Sequence, residues 1–370
     1  MNKDITLYLK SIDDALATGS PIPWIYKHQE TNTILSLISS LDVPKHPSTP
    51  ICKLFQCNNP TSDSDFCCTE HEEIHKKETK FRVRIIGSFW RDSTDTMKEF
   101  GVGCSDQSTL TWGSIQLVDS EPYDYTVIIN APHPNTYLDK KKTIIFHMEP
   151  NMETNQQLWG DWANPEGFLR VFKHSTDYNN LQWHLKKTYQ ELMSELDAPL
   201  PKKEDKVSMV ISGKYNDIGH VLRWDIAHDI SETDIPVVFY GNNNRFRLPN
   251  HMGALPHLNK DLGMYPYKYH IAIENCENYN YVTEKLVDGI LAECLTFYWG
   301  APNIKSIIDQ KAYIHLSTNN PKEIINMIRI AIKEDWWSQR IQFIRKEKER
   351  IINQLAFIPR LEKFIKSIEE

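Results

Sequence analysis

The sequence has no apolar run approaching the ~20 residues needed to cross a bilayer. Its first residues, MNKDITLYLKSIDDAL, lack the apolar core of a secretory signal. Both absences lead to the expectation of a soluble, cytoplasmic protein without a membrane span. Positive charge is not in excess either: 42 Lys and Arg stand against 49 Asp and Glu, a formal net charge of −7. That balance argues against non-specific nucleic-acid binding. There are seven cysteines, and four of them crowd into residues 52–68, which does not resemble a secreted disulfide framework. A reducing compartment is expected.

What is present is ample material for cores. The chain has 370 residues, 40% hydrophobic and 25% charged, the balance of a soluble protein with two or three domains. Residues 1–50 read as a helical region, with Ile5, Leu9, Ile12 and Leu16 in one stretch and Ile34, Leu37, Ile38 and Leu41 in another. They close with the Pro-rich linker VPKHPSTP. Residues 51–76 are a Cys/His-rich segment. From Phe81 the pattern becomes α/β: strands are expected at Phe81–Ile86, Tyr125–Ile129, Thr143–Phe146 and Phe168–Phe172, and a helix at Thr188–Leu196. APLPKKEDK, 198–206, reads as an interdomain linker. A second α/β series follows: strand Val207–Ser212, helix Leu222–His228, strand Pro236–Tyr240, late strand Ala312–Leu316, and helices Pro321–Lys333 and Arg340–Ala356. The main body therefore divides into domains at 80–200 and 205–370.

The most informative stretch is YHIAIENCENYNYVTEKLVDGILAECLTFYWGAP, Tyr269–Pro302. Tyr269–Ile273 has the composition of a buried strand, and Glu274-Asn275 ends it. Thr283 is a candidate N-cap, and Leu286, Val287, Ile290 and Leu291 recur at helical spacing. Leu295–Trp299 is a second strand, broken by Gly300-Ala301-Pro302. This is a strand–loop–helix–strand unit, and the loop and helix start are the edge at which open α/β sheets bind ligands. Glu274, Asn275, Tyr281, Glu284 and Lys285 sit there. A helix start favours a diphosphate, and Lys285 adds the charge that a departing nucleoside diphosphate needs. Glu284 and Asn275 suit hydroxyl groups, and Tyr281 suits a ring face. The competing reading is a capped surface helix with solvated charges.

The whole string closely resembles the donor-binding signature of the α-1,3/1,4-fucosyltransferases, glycosyltransferase family 10. The order Glu274-Asn275-Cys276, Tyr281-Val282-Thr283-Glu284-Lys285 and Tyr298-Trp299-Gly300 carries the resemblance. Cys276 stands where Ser is usual and forgoes a hydroxyl hydrogen bond. Two further places resemble the family. Lys142–Pro150, KTIIFHMEP, ends a strand in His147-Met148-Glu149. Glu149 matches the family's proposed catalytic base, and a strand-end carboxylate suits the removal of an acceptor proton during an inverting transfer. His147 is the rival base. Val207–Trp224, VSMVISGKYNDIGHVLRW, resembles the opening of the family's C-terminal half. Arg223 matches its diphosphate-binding arginine. Ser212 and Gly213 are expected in the same loop, with Lys214 as a substitute.

The segment CKLFQCNNPTSDSDFCCTEHEEIH pairs Cys52-x4-Cys57 with Cys68-x2-His71, which reads as a closed structural zinc site. Cys67 is an alternative third ligand, and His75 is an alternative to His71. Free thiols in a reducing cytosol are the plain alternative. Asp63-x-Asp65 looks like a metal motif of another glycosyltransferase class but lies within this loop, so it is set aside. Trp159, Trp162 and Trp183 are candidate sugar platforms or core residues.

These readings converge on an α/β protein of GT-B architecture, two Rossmann-like domains facing a cleft, with a small helical and zinc-knuckle-like N-terminal region. The resemblance implies an inverting transfer of L-fucose from GDP-β-L-fucose to a glycan or glycoconjugate hydroxyl, with no metal required for chemistry. Glu149 is then the base, Arg223 and Lys285 hold the diphosphate, and Glu284 and Asn275 orient hydroxyls. Glu274, Ser212 and Tyr281 complete the donor site. Use of another nucleotide sugar, or a silent carbohydrate-binding scaffold, are the alternatives. Segments 88–122 and 151–185 carry no readable acceptor code.

Overall fold

The computed structural model describes residues 80–369 apart from 151, 178–180, 243, 246, 257 and 258. The helical region at 1–50 and the Cys/His segment at 51–76, with Cys52, Cys57, Cys68 and His71, lie outside the described residues. The apolar runs read as strands do form strands. β1 (Phe81–Gly87) is followed by α1 (Ser93–Gly101), β2 (Thr111–Trp112), β3 (Ile115–Val118), β4 (Tyr125–Ile129), β5 (Thr143–Phe146), α2 (Glu153–Trp159) and β6 (Arg170–Phe172). The six strands lie in the order β2-β3-β1-β4-β5-β6, parallel except for the β2–β3 pair. Every residue of β4 is buried, as a strand covered on both faces requires.

After α3 (Tyr189–Asp197) the second series runs β7 (Glu204–Val210), α4 (Ile218–Ser231), β8 (Val237–Tyr240), β9 (Tyr267–Ile273), α5 (Glu284–Leu291), β10 (Leu295–Trp299) and β11 (Tyr313–His315). Its five strands are all parallel, in the order β11-β10-β9-β7-β8. The α/β architecture of two parallel sheets expected for GT-B is the one observed. Capping matches the sequence. Thr188 and Glu191 form a reciprocal capping box, and Thr283 caps α5.

Several boundaries differ from the expectation. The supposed linker already enters β7 at Glu204, because that strand pairs on both sides and its charges are matched by Lys206–Glu204 at 2.6 Å and Lys268–Asp205 at 2.7 Å. Helix α4 is longer than Leu222–His228. The helix expected over Arg340–Ala356 is α7 (Trp336–Arg350) closed by a π turn at Ile351–Leu355, after α6 (Pro321–Lys333). α1, β2 and β3 were not foreseen, and neither was α8 (Phe357–Glu369). Among the described residues no helix is long and apolar enough to cross a membrane.

The domain division at 80–200 and 205–370 also needs correcting, because the two cores are not consecutive in sequence. Leu181, Trp183, Leu185 and Leu192 are buried in the core of the second sheet. Phe357, Ile358, Leu361 and Ile365 of α8 are buried in the core of the first, with Val83, Ile85, Phe100 and Phe146. Phe357 is the anchor: its ring lies 4.7 Å from Phe100 and 4.9 Å from Phe146. Leu361 is fully buried, so Leu361→Ala should remove ~2–5 kcal/mol. Urea unfolding checks this, and an unchanged midpoint would mean that α8 is not part of this core.

Candidate active site

The site begins with a carboxylate that has no solvent exposure. Glu274, one residue past β9, accepts hydrogen bonds from the Thr283 backbone N–H at 2.8 Å and from the Thr283 hydroxyl at 2.9 and 2.8 Å. Lys285 reaches the same carboxylate at 3.2 Å. The Thr283 hydroxyl in turn accepts from the Lys285 N–H at 3.3 Å, capping α5. Burial pushes the Glu274 carboxyl up while Lys285 opposes it. The structure thus places Glu274 behind the helix start, holding it to the end of β9, and not on the open face expected for a donor contact.

Lys285 is the centre of the charge pattern. Its ammonium also touches the Thr283 hydroxyl at 3.0 Å and Glu284 at 3.3 Å, so its three donors are engaged within the protein. Against burial, Glu274 and Glu284 raise its pKa and keep it charged. Glu284 is held well below the ordinary carboxylate range, with Lys285 and Lys260 overcoming the opposing effect of burial. Lys260 bonds Asp288 at 2.8 Å and Glu284 at 3.5 Å. Asp288, fully buried and one turn along α5 from Glu284, also accepts the His184 N–H at 2.7 Å. Burial, partly offset by Lys260, pushes it up to about 6. Neither Lys260 nor Asp288 was singled out from the sequence. An acid four residues after Glu284, on the apolar side of a helix, was the available signal for Asp288.

Arg223 projects from α4 to the same turn. It is buried, and its Nη2 donates to the Ile273 carbonyl at 2.5 Å and to Asn275 Oδ1 at 3.3 Å. α4 approaches this turn because Gly219 allows it. The Gly219 N–H donates to the Asn275 carbonyl at 3.0 Å, and a Cβ there would stand 1.8 Å from the Glu274 carbonyl oxygen. A cavity of about 250 Å³ opens beside these groups, lined by Ser212, Lys214, Arg223, Lys260, Asn275 and Lys285 among others. It sits outside the carboxyl ends of β7 and β9, where the strand order reverses, which is the ligand position in open parallel sheets.

Glu149 comes from the other sheet. It follows β5, partly buried, with its N–H and that of Met148 donating to Asn130 Oδ1 at 3.3 and 2.8 Å. Asn130 adopts φ +59°, a left-handed conformation that Asn tolerates. A cavity of about 190 Å³ is lined by Phe89, Asn130 and Glu149 on one side and by Asn275, Glu284 and Lys285 on the other. Burial raises the Glu149 pKa, and Lys285 lies within electrostatic reach to oppose it. Glu149, Asn275, Glu284 and Lys285 therefore share one cleft, and the 250 Å³ cavity continues it to Arg223 and Ser212.

Other sequence expectations fall differently. Tyr281 lines the cleft but is 1% exposed, its ring edge-on to His174 at 5.2 Å. Its contribution is to packing more than to an open stacking face. His147 is buried against Trp159 at 5.2 Å, and burial lowers its pKa to about 4. Cys276 is buried, and its sulfur accepts from Asn278 at 3.3 Å. Trp159, Trp162 and Trp183 all pack into apolar clusters. Trp183 also donates to the Lys187 carbonyl at 2.8 Å. His174 was missed. Its ring nitrogens face the Met148 carbonyl at 3.2 Å and the Asn280 carbonyl at 3.3 Å, tying the turn before Glu149 to the loop before Tyr281.

Known proteins bear on the second half of the chain. A curated relative, the α-(1,3)-fucosyltransferase FucT of Helicobacter pylori, is 31% identical over 72 residues, 19% of this chain and 15% of its own length. The chain thus matches only a small part of that relative. A solved α1,3-fucosyltransferase with GDP aligns over 76% of this chain and 93% of its own, at 15% identity and a TM-score of 0.42. An α-glucosyltransferase solved with UDP and a 13-mer DNA containing a HMU base aligns over 79% of this chain and 100% of its own, at 10% identity and a TM-score of 0.49. Residues 200–353 match the family described as Glycosyltransferase family 10 (fucosyltransferase) C-term. That span holds Ser212, Arg223, Asn275, Glu284 and Lys285, and it is the part of the chain that is similar to this family.

Proposed function

We propose that the protein transfers L-fucose from GDP-fucose to a hydroxyl of a glycan or glycoconjugate, inverting the anomeric centre. The observation that carries this reading is the shared cleft, with Glu149 from one sheet facing Glu284 and Lys285 from the other. The sugar assignment follows the family 10 match and the name of the Helicobacter pylori relative. In the reaction the acceptor oxygen attacks the anomeric carbon, the carbon–oxygen bond to the diphosphate breaks, and GDP leaves. Glu149 takes the acceptor proton. Arg223, Lys214 and Lys285 supply positive charge along the cavity that receives the diphosphate. Glu284, held ionised by Lys260 and Lys285, accepts hydrogen bonds from donor hydroxyls. Glu274 and Asn130 are positioning residues for Lys285 and Glu149. Thermal-shift screening of nucleotide sugars tests the donor. A ligand at 100 times its Kd adds ~2.7 kcal/mol, and a shift with GDP-fucose no larger than with UDP-sugars would defeat the assignment.

The zinc expectation also stands as a proposal: Cys52, Cys57, Cys68 and His71 hold a structural ion. Elemental analysis should find zinc in stoichiometric amount, lost in Cys52→Ser and Cys68→Ser with transfer retained. Zinc content unaffected by both substitutions would end this proposal.

Lys285→Ala should cut turnover roughly 10²–10³-fold, the scale of one lost transition-state electrostatic contact, and should weaken GDP binding. It also leaves Glu274 without its cation, so circular dichroism and melting must accompany the kinetics. Normal turnover in a folded variant would remove Lys285 from the site.

The raised pKa of Glu149 sets the pH dependence. A base acts when deprotonated, so turnover should fall as pH drops through a value above the usual carboxylate range. Glu149→Gln should lower turnover by ~10²–10⁴-fold, abolish that acid limb and leave GDP affinity nearly unchanged. Loss of the limb in His147→Ala instead would move the base to His147.

A further inference from the structure

The chain passes from the first sheet to the second along the cleft, and one side chain there has no role in the reading above. Gln182 and His184 line the cavity of about 190 Å³ that holds Glu149, Glu284 and Lys285. Gln182 is 2% exposed. Its Nε2 donates to the Glu99 carbonyl at 3.4 Å, and its Oε1 is buried with no hydrogen-bond partner among the described residues. We propose that Gln182 Oε1 accepts a hydrogen bond from one ring hydroxyl of the transferred sugar, which makes Gln182 a specificity-determining residue of the cleft. The proposal deepens the GDP-fucose reading and rests on it.

Three observations carry it. The first is the unmet acceptor. A buried amide oxygen without a donor costs free energy that a ligand hydroxyl can return. The other end of the amide sets its orientation: turned over, it would place Oε1 against the Glu99 carbonyl oxygen, acceptor to acceptor. The one bond that the amide makes is long, so its oxygen has slack to turn toward a hydroxyl in the cavity. The second is the anchoring of the backbone. Leu181, Trp183 and Leu185 are buried in the core of the second sheet. The His184 N–H donates to Asp288 at 2.7 Å, the Lys186 N–H donates to Asp261 at 2.8 Å, and the His184 carbonyl accepts from the Lys260 N–H at 3.3 Å. Gln182 therefore belongs to a fixed wall of the site. The third is what the cavity asks of its occupant. The cationic side chains on its walls are Lys285 and His184, and both face carboxylates: Lys285 lies 3.2 Å from Glu274 and 3.3 Å from Glu284, and His184 lies 4.0 Å from Glu99. Glu149 and Glu284 as carboxylates only accept, and Gln182 adds a neutral acceptor between sheets. A ring that carries several hydroxyl donors fits such walls. In the reaction above the anomeric carbon lies between the Glu149-bound oxygen and the diphosphate at Lys285, so the transferred sugar occupies this cavity. An amide oxygen reads a hydroxyl by its presence, because a hydrogen atom in its place leaves the buried acceptor unmet again.

The test is calorimetry of GDP-fucose, its 2-, 3- and 4-deoxy analogues and GDP on the full chain and on Gln182→Met, which keeps the length of the side chain and removes the amide. In the wild type the analogue that lacks the hydroxyl held by Gln182 should bind roughly tenfold or more weakly than GDP-fucose. In Gln182→Met that penalty should shrink to about twofold or less, while penalties from hydroxyls held by Glu149 or Glu284 persist. GDP, which has no transferred sugar, should bind both proteins alike. Gln182→Leu gives the same comparison should Gln182→Met not fold. No penalty at any position, or penalties identical in the wild type and the variant, would overturn the proposal and leave the donor reading standing. No binding of GDP-fucose to the wild type would defeat the donor reading and this assignment together.

Discussion

A buried carboxylate at the end of a strand organises the second sheet's side of the cleft. Glu274 has no water to solvate it, and isolated burial of such a charge is costly. Thr283 and Lys285 compensate it, and in doing so they fix the first turn of α5 against the end of β9. Everything the cleft uses from this half hangs on that joint. Lys285 stays charged, Glu284 is placed between two ammonium groups, and the Asn275 turn is left in position for Arg223. Removing one member of such a network strands the others, so its residues act as a unit. Three carboxylates, Glu274, Glu284 and Asp288, face three cations, Arg223, Lys260 and Lys285, with Lys214 exposed at the rim.

Each sheet presents its reversal of strand order to the cleft. In the second sheet, the β7 and β9 ends give the loop with Ser212 and the Asn275 turn. In the first, the β1 and β4 ends give Phe89 and Asn130, with Glu149 following the next strand. The division of labour is physical. The second sheet's ends carry compensated cations suited to an anion, and the first sheet's ends carry aromatic faces and carboxylates suited to hydroxyl groups.

The strand–loop–helix–strand unit was legible because its signals are local. Strand, cap and helix all lie between Tyr269 and Trp299, and Thr283, the apolar spacing and the Gly300 break announce them in order. Glu149 and Arg223 were singled out through resemblance alone, since a strand-end acid or a helix arginine is unremarkable by itself. What escaped was non-local. Lys260 meets Asp288 and Glu284 across a loop, Asn130 supports Glu149 from a neighbouring strand, and His174 bridges two carbonyls of different segments. Glu274 was read as a ligand contact because sequence reveals a charged residue but not that its charge points inward. Helix α8 escaped because its amphipathic pattern continues from α7 after a π turn, and its partners Val83, Phe100 and Phe146 lie far back along the chain.

That return of the chain has a consequence for how the molecule is made. The segment from Leu181 to Ala356 supplies one core, and the residues on either side of it supply the other, so the second sheet is topologically an insertion within the first. During synthesis the half built on the second sheet has all of its core before Phe357 has been added. The Glu149-bearing half, although begun first, lacks four of its buried side chains until residues 357–365 emerge. The usual amino-to-carboxyl order of domain completion is thereby reversed. The cleft becomes whole only when α8 docks.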